Sequence, residues 1–213
     1  MIKAKQLNAV HKKWQKKCKC KLHKTATQAV FGNGNPNAEI VFIGEAPGKK
    51  EDSTGIPFVG SAGKFLNEML GTIKLKRENI YITNIVKYRP PNNRDLIQRN
   101  HAAQRPLKRG RWSSNRAPTT EEKDDCRDWL HEELNLIKPK LIVFLGRHSM
   151  NDFFPDLKIS EAHGKLITKK INGIKTTNFL PLYHPAAALY NGGMRETFKK
   201  DFKKIPAILK KLN

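Results

Sequence analysis

Acidic side chains are scarce in this chain. Asp and Glu number 19 against 41 Lys and Arg, which leaves a formal net charge of +22. A surface that basic repels itself unless a polyanion screens it. Nucleic acid is the first candidate, because phosphates pair with Lys and Arg and release counterions. An anionic membrane surface is the second. Many of the lysines are scattered rather than grouped, so a general compositional bias accounts for part of the excess. Long apolar runs are also missing: none approaches the ~18–20 residues of a membrane span. No apolar signal-peptide core opens the chain, whose first 25 residues hold nine lysines and no acid. Transit peptides favour Arg and Ser, so the expectation is an intracellular protein of the cytoplasm, nucleus or nucleoid, with no membrane partner. Cysteine is rare. Cys18, Cys20 and Cys126 are too few, and odd in number, for a secreted disulfide frame. They read as free thiols or metal ligands.

What is present is an alternation of strand-like and helix-like segments. Short apolar runs at Glu39–Gly44, Asn79–Val86, Leu141–Gly146 and Thr177–Tyr183 read as buried strands. Ser61–Ile73 carries an apolar helical face of Phe65, Leu66, Met69 and Leu70. Thr119–Ile137 is the best helix: Thr119 and Glu122 fit a capping box, and Cys126, Leu130, Leu134 and Ile137 share a stripe. A last helix begins near Arg195 with Phe198, Phe202 and Ile205, and Pro206 should break or kink it. The expected fold is a three-layer α/β/α sandwich around a mostly parallel, four-stranded central sheet. A single domain should span residues 1–213, with a Lys-rich segment at 1–25 and a basic insertion loop at 92–118. From Arg94 to Arg116 that insertion holds seven Arg or Lys and one acid, Asp95, with His101 and Trp112 among them. Compact domains rarely keep so long a connection without a use for it; it reads as a solvated loop, as extra phosphate contact, or as both.

The stretch "GEAPGKKEDSTGIPFVG", Gly44–Gly60, follows the first strand. It is not a phosphate loop: the G-x4-G-K-[ST] spacing is absent, and Lys50 stands where Ser or Thr is required. The dinucleotide fingerprint G-x-G-x-x-G is absent as well. A flat ring remains. Phe58 lies in a loop at the carboxyl end of a strand, where open α/β sheets bind ligands. His184 follows the fourth strand and precedes a proline. Asn84 ends "YITN", and an Asn inside an apolar strand is unfavourable unless its amide is satisfied. Each alone also fits a structural role. Together, one aromatic face, one amide and one imidazole at three strand ends could read a nucleobase, the amide offering donor and acceptor in one plane to a pyrimidine edge.

"GEAPGKKEDSTGIPFVGSAGKFLNEML", "YITNIVKYRPP" and "HPAAALYNGGMR" resemble the three signature segments of the family 4 uracil-DNA glycosylases, and "FGNGNPNAEIVFIGEAPG" and "KPKLIVFLGR" fit the same pattern. The resemblance runs from about Cys20 to the last helix, apart from the basic insertion. It implies hydrolysis of the N-glycosidic bond of deoxyuridine in single- or double-stranded DNA by a monomeric, monofunctional enzyme that starts base-excision repair. It implies that Phe58 stacks on a flipped-out uracil, that Asn84 tells uracil from cytosine, and that His184 contacts the base O2 and stabilises the departing charge. Glu45 and Ala46 would belong to the loop that positions the attacking water and lines the base pocket. Glu51 would lie beside C5 and crowd out the thymine methyl. The loop Tyr190–Arg195, with Tyr190, Asn191, Met194 and Arg195, would press into the duplex. Outside the resemblance, Arg109 and Arg111 of the insertion read as extra phosphate contacts. No strong general base stands at a private position, so the leaving group and the DNA's own phosphates are expected to carry much of the catalysis.

The sequence departs from that family in two places. The family holds a [4Fe–4S] cluster on four cysteines, the first two spaced C-x2-C. Cys20 and Cys126 match the second and fourth positions, whereas the first falls on Lys17, with Cys18 displaced by one, and the third falls on Tyr88. A cluster on Cys18, Cys20, Cys126 and a fourth ligand such as Tyr88 or His23, an altered or labile cluster, and no cluster at all are the readings left open. Second, a related group binds uracil covalently through a His in an Arg-rich loop. Here "RWSSNRAP" puts Asn115 at that place, and Asn cannot replace an imidazole nucleophile, so turnover is favoured over trapping, with His101 the remaining imidazole of the insertion. The alternative function is a non-turnover or covalent uracil- or damaged-DNA-binding protein. If the charge serves DNA, affinity should fall steeply with added salt, as ~6–10 phosphate contacts would require; a flat profile in a binding titration would mark the charge as compositional.

Overall fold

The computed structural model describes residues 2–91 and 116–212. The sheet runs β1 (Asn33–Gly34), β3 (Tyr81–Asn84), β2 (Ile40–Gly44), β4 (Leu141–Leu145), β6 (Asn178–Leu182), β5 (Ile167–Thr168). Its four inner strands are parallel: Val41 faces Tyr81, Ile40 faces Leu141 and Ile142 faces Phe179. The outer two are antiparallel. The sheet is therefore six-stranded and mixed rather than four-stranded. Each edge strand is two residues long, too short to leave an apolar run in the sequence.

Alternation along each inner strand builds two cores. Val41, Ile43, Ile142, Phe144 and Phe179 face one side, where α4 (Thr120–Ile137) and α5 (Arg147–Phe153) pack. Ile40, Phe42, Leu141, Val143 and Leu145 face the other, against α3 (Ser61–Thr72), α7 (Pro185–Tyr190), α8 (Gly192–Phe202) and α9 (Ile205–Leu212). Strands buried on both faces read as continuous apolar runs, which is why β2 and β4 are visible in the sequence. The short helices α2 (Lys49–Thr54) and α6 (Ile159–Ala162) fill connections.

The capping box of α4 forms as expected: the Glu122 amide donates to Thr119 Oγ1 at 3.3 Å and the Thr119 amide to Glu122 Oε2 at 2.8 Å. Pro206 does not kink a helix. One helix ends at Phe202, and Pro206 sits in the first turn of the next, where its missing N–H is no loss.

The Lys-rich N-terminal segment is a helix, α1 (Ile2–Lys17). Leu7, Val10 and Trp14 recur at helical spacing and are buried, with lysines on the other face. The helix docks on α4: Lys3 Nζ donates to the carbonyl of Ile137 at 3.0 Å, at the α4 C-terminus where a cation is favoured. Among the described residues no helix is long and apolar enough to cross a membrane.

Candidate active site

All four parallel strands end on one side of the sheet, so Gly44, Asn84 and His184 come to a common rim. Gly44 has to be glycine. A Cβ there would lie 2.4 Å from Asn84 Oδ1 and 2.6 Å from the Phe58 ring, so its absence lets the amide and the aromatic face meet over the end of β2. A cavity of about 340 Å³ opens there, walled by Ala46, Glu51, Phe58, Asn84, His184 and Ala186. The residues expected to contact a base are thus brought together from four separate segments.

Phe58 is buried, its ring centroid 6.1 Å from that of His184. Its backbone is left-handed, with φ of 55°, a conformation unfavourable for a bulky side chain. Two groups hold it there. The Arg77 guanidinium donates to the carbonyls of Pro57 and Phe58, and to Asn67 Oδ1 at 3.2 Å. Glu51 Oε1 accepts from the amides of Val59, at 3.0 Å, and Gly60, at 2.9 Å. The Glu51 carboxylate, expected beside the base, lines the cavity and also clamps the loop that carries Phe58.

Asn84 is 2% exposed, and its Oδ1 is a buried acceptor without a hydrogen-bond partner among the described residues. Such an atom costs about 1–3 kcal/mol, which marks a place where a ligand N–H belongs. His184 caps α7: its Nδ1 accepts from the Ala186 amide at 3.1 Å. That bond assigns the proton to Nε2. Burial first, and the nearby His148 second, push its pKa down to about 4, so the ring is a neutral Nε2–H donor at pH 7. His184 also walls a second cavity of about 260 Å³, with Glu45, Gly146, Arg147, His148 and Met194. Burial raises the Glu45 carboxyl above its usual range, against the pull of Arg147 and Lys123.

The support beneath Asn84 leaves almost no trace in the sequence. Lys87 and Glu133 form a buried pair, Nζ to Oε2 at 2.8 Å, with both side chains under 4% exposed. Lys87 Nζ also donates to the Asn84 carbonyl at 3.1 Å and to Thr83 Oγ1. Glu133, on α4, accepts from Tyr81 Oη at 2.6 Å and Thr83 Oγ1 at 3.0 Å, and pairs with His11 Nε2 at 3.1 Å. Burial alone would raise the Glu133 pKa; Lys87 and then His11 overcome it and hold the carboxylate well below the usual range. The only hint in the sequence was a lysine at the close of an apolar strand.

The residues expected to meet DNA diverge. Tyr190 is 88% exposed at the end of α7. Asn191 caps α8, its Oδ1 accepting from the Met194 amide at 3.1 Å, and Met194 lines the second cavity. Arg195 is folded back onto α3: it pairs with Glu68 at 3.3 Å and lies 5.1 Å above the Phe65 ring. Arg109, Arg111, His101 and Asn115 lie outside the described residues, as does nearly all of the 92–118 insertion.

The three cysteines meet in space. Cys18 and Cys126 both act electrostatically on Cys20, and the Cys20 amide donates to Cys18 Sγ at 3.4 Å. Cys20 and Cys126 are fully buried. Tyr88 packs its ring 5.0 Å from that of Trp14 and 6.3 Å from that of His23. A four-iron cluster takes four ligands, one on each iron, and the family's are cysteine thiolates. Three cysteines, one of them displaced by a residue, and a phenol do not make that set, and among the described residues no group of three or more His, Cys, Asp or Glu is arranged to hold a metal ion.

Comparison with known proteins adds the following. The family model described as "Uracil DNA glycosylase superfamily" matches residues 31–210. The type-4 uracil-DNA glycosylase of Archaeoglobus fulgidus is 46% identical over 192 residues, covering 88% of this chain and 85% of that protein. That of Sulfurisphaera tokodaii is 42% identical, with 88% and 77% covered, and that of Thermotoga maritima 36% identical, with 92% and 91% covered.

The buried pair makes a prediction that needs no substrate. Lys87→Met should destabilise the fold by about 3–5 kcal/mol, because it strands a buried carboxylate. Adding Glu133→Gln should recover much of that loss. Urea unfolding of the two variants checks this; equal stability of single and double variants would refute it.

Proposed function

Because this chain belongs to the type-4 uracil-DNA glycosylases of the uracil DNA glycosylase superfamily, we propose that it hydrolyses the N-glycosidic bond of deoxyuridine in DNA, releasing uracil, leaving an abasic site and so opening base-excision repair. The observation that carries this reading is the buried Asn84 Oδ1, without a partner among the described residues, in one cavity with the Phe58 ring and the neutral His184 donor.

The cavity lies at the strand ends, so a base must leave the duplex stack to reach it. Tyr190, exposed at the end of α7, would take up the space left behind. Once inside, the base stacks on Phe58. Asn84 Oδ1 accepts the N3–H of uracil. Cytosine presents a lone pair at N3, so acceptor would face acceptor, and sites built to bond a substrate N–H reject analogues that lack it by about 10⁴–10⁵. Glu51 closes the pocket wall while holding Val59 and Gly60.

In the reaction the C1′–N1 bond breaks and its electron pair passes to the uracil ring, spread over N1 and O2. His184 Nε2–H donates to O2 as charge accumulates there, an oxyanion-type effect of about 3–4 kcal/mol. Water adds its oxygen to C1′, and the proton it gives up ends on the departing uracil anion through solvent, so the products are neutral uracil and the abasic sugar. Glu45 lines the second cavity together with His184 and would orient that water. The leaving group and the phosphates supply the remaining charge stabilisation. Loss of nearly all activity on replacing Glu45 with Gln would contradict that division.

An oligonucleotide bearing one deoxyuridine, incubated with protein and then alkali, tests the function. Cleavage is expected, with Asn84→Ala and His184→Ala each slower by about 10²–10³. A uracil-dependent band shift without cleavage would favour a binding protein, and an adduct stable to SDS a covalent one.

The pH profile follows from His184. Its pKa of about 4 lies below its ordinary value, so the neutral donor persists as pH falls from 8 toward 5. Single-turnover rates should therefore show no acid limb from this residue in that window. A rate that climbs as pH drops from 7 to 5 would mean that the imidazolium acts instead.

A further inference from the structure

The strongest disagreement between this chain and its family lies where α1 ends, far in sequence from Asn84 and His184. The four ligand positions of the family pattern fall on Lys17, Cys20, Tyr88 and Cys126. Lys17 is exposed at the last turn of α1 and carries no sulfur. Tyr88 offers a phenol, and its ring is committed to Trp14 and His23. Cys18 does not replace the first ligand. Its amide bonds back to the Trp14 carbonyl at 2.7 Å, and the one-residue spacing folds its sulfur onto Cys20.

We infer that the corner where the family carries an iron–sulfur cluster is closed here by packing, with Tyr88 filling the place of one ligand, and that this chain folds without a cluster. A cluster on those positions would tie three segments together: the end of α1, the turn after β3 and the middle of α4. Other contacts already do this. Trp14 is 1% exposed and meets Tyr88 at 5.0 Å and Phe31 edge-on at 5.3 Å. His11 stacks on Phe31 at 4.2 Å and pairs with Glu133 of α4. Lys87, the neighbour of Tyr88, is bound to the same carboxylate. The three segments therefore share one apolar cluster and one buried ionic network.

The test uses the full chain, produced with excess iron, purified without oxygen, and incubated with ferrous iron and sulfide. Iron content, visible charge-transfer absorbance and the thermal midpoint are read. The expected result is iron far below stoichiometric, no visible band, and a cooperative midpoint that reconstitution does not move. Lys17→Cys combined with Tyr88→Cys restores thiols at both lost positions, and that variant should take up iron and colour. About four irons per native chain with a visible band would overturn the inference, as would a native chain that unfolds or aggregates unless reconstituted. These readouts do not depend on uracil excision, so the inference and the proposed function fail separately.

Discussion

The buried Lys87–Glu133 pair is the constraint on which the rest of the site depends. A carboxylate with no exposure on α4 and an ammonium just past β3 are each intolerable alone. Their attraction fixes where the α4 layer sits against the sheet. It also fixes the backbone of Asn84, because Lys87 spends a second proton on the Asn84 carbonyl and a third on Thr83. The side-chain amide of Asn84 is left with one open acceptor. Such pairs often stabilise less than apolar residues of equal volume; what this one supplies is position, with Tyr81, Thr83 and His11 completing the carboxylate's bonds.

The aromatic wall rests on a different device. A left-handed Phe is a local strain of about 1–3 kcal/mol. It persists because Arg77 takes the carbonyls on one side of it and Glu51 the amides on the other. Both clamps are charge-assisted, so each bond is stronger than a neutral one. The ring is thereby presented over the end of β2 with little freedom. Stacking on it loses less entropy than stacking on a mobile side chain would.

Much of this was legible in the sequence, for specific reasons. β2, β3, β4 and β6 stand out because both of their faces are buried. Asn84 and His184 stand out because each is a polar group at or just past the end of an apolar run, and Phe58 because it is the one aromatic residue of the Gly- and Pro-rich stretch after β2. Other features were hidden. β1 and β5 are too short to show a pattern. α1 was masked by its lysines, although Leu7, Val10 and Trp14 keep helical spacing. Glu133 reads as a solvated helix residue beside Glu132, and only the third dimension shows that it faces Lys87, 46 positions away. Arg195 reads as a free cation in a basic chain, yet it is held by Glu68 and the Phe65 ring. Pairings distant in sequence leave no periodicity to read.

The net charge and the site do different work. A charge of +22 attracts any polyanion, and cannot tell one base from another. The groups that can are neutral: an amide, an imidazole and a phenyl ring. The imidazole's neutrality follows from burial. With a pKa of about 4, protonating His184 at pH 7 requires about 4 kcal/mol, at roughly 1.4 kcal/mol per unit. A full negative charge about 4 Å away, at an effective dielectric of 20, returns about 4 kcal/mol. The two nearly cancel, and in the transition state the charge on O2 is only partial, so His184 stays a neutral imidazole and donates its Nε2–H without first becoming an imidazolium. A donor that remains neutral until charge appears binds the departing anion better than the intact nucleoside, which is the difference a catalyst needs.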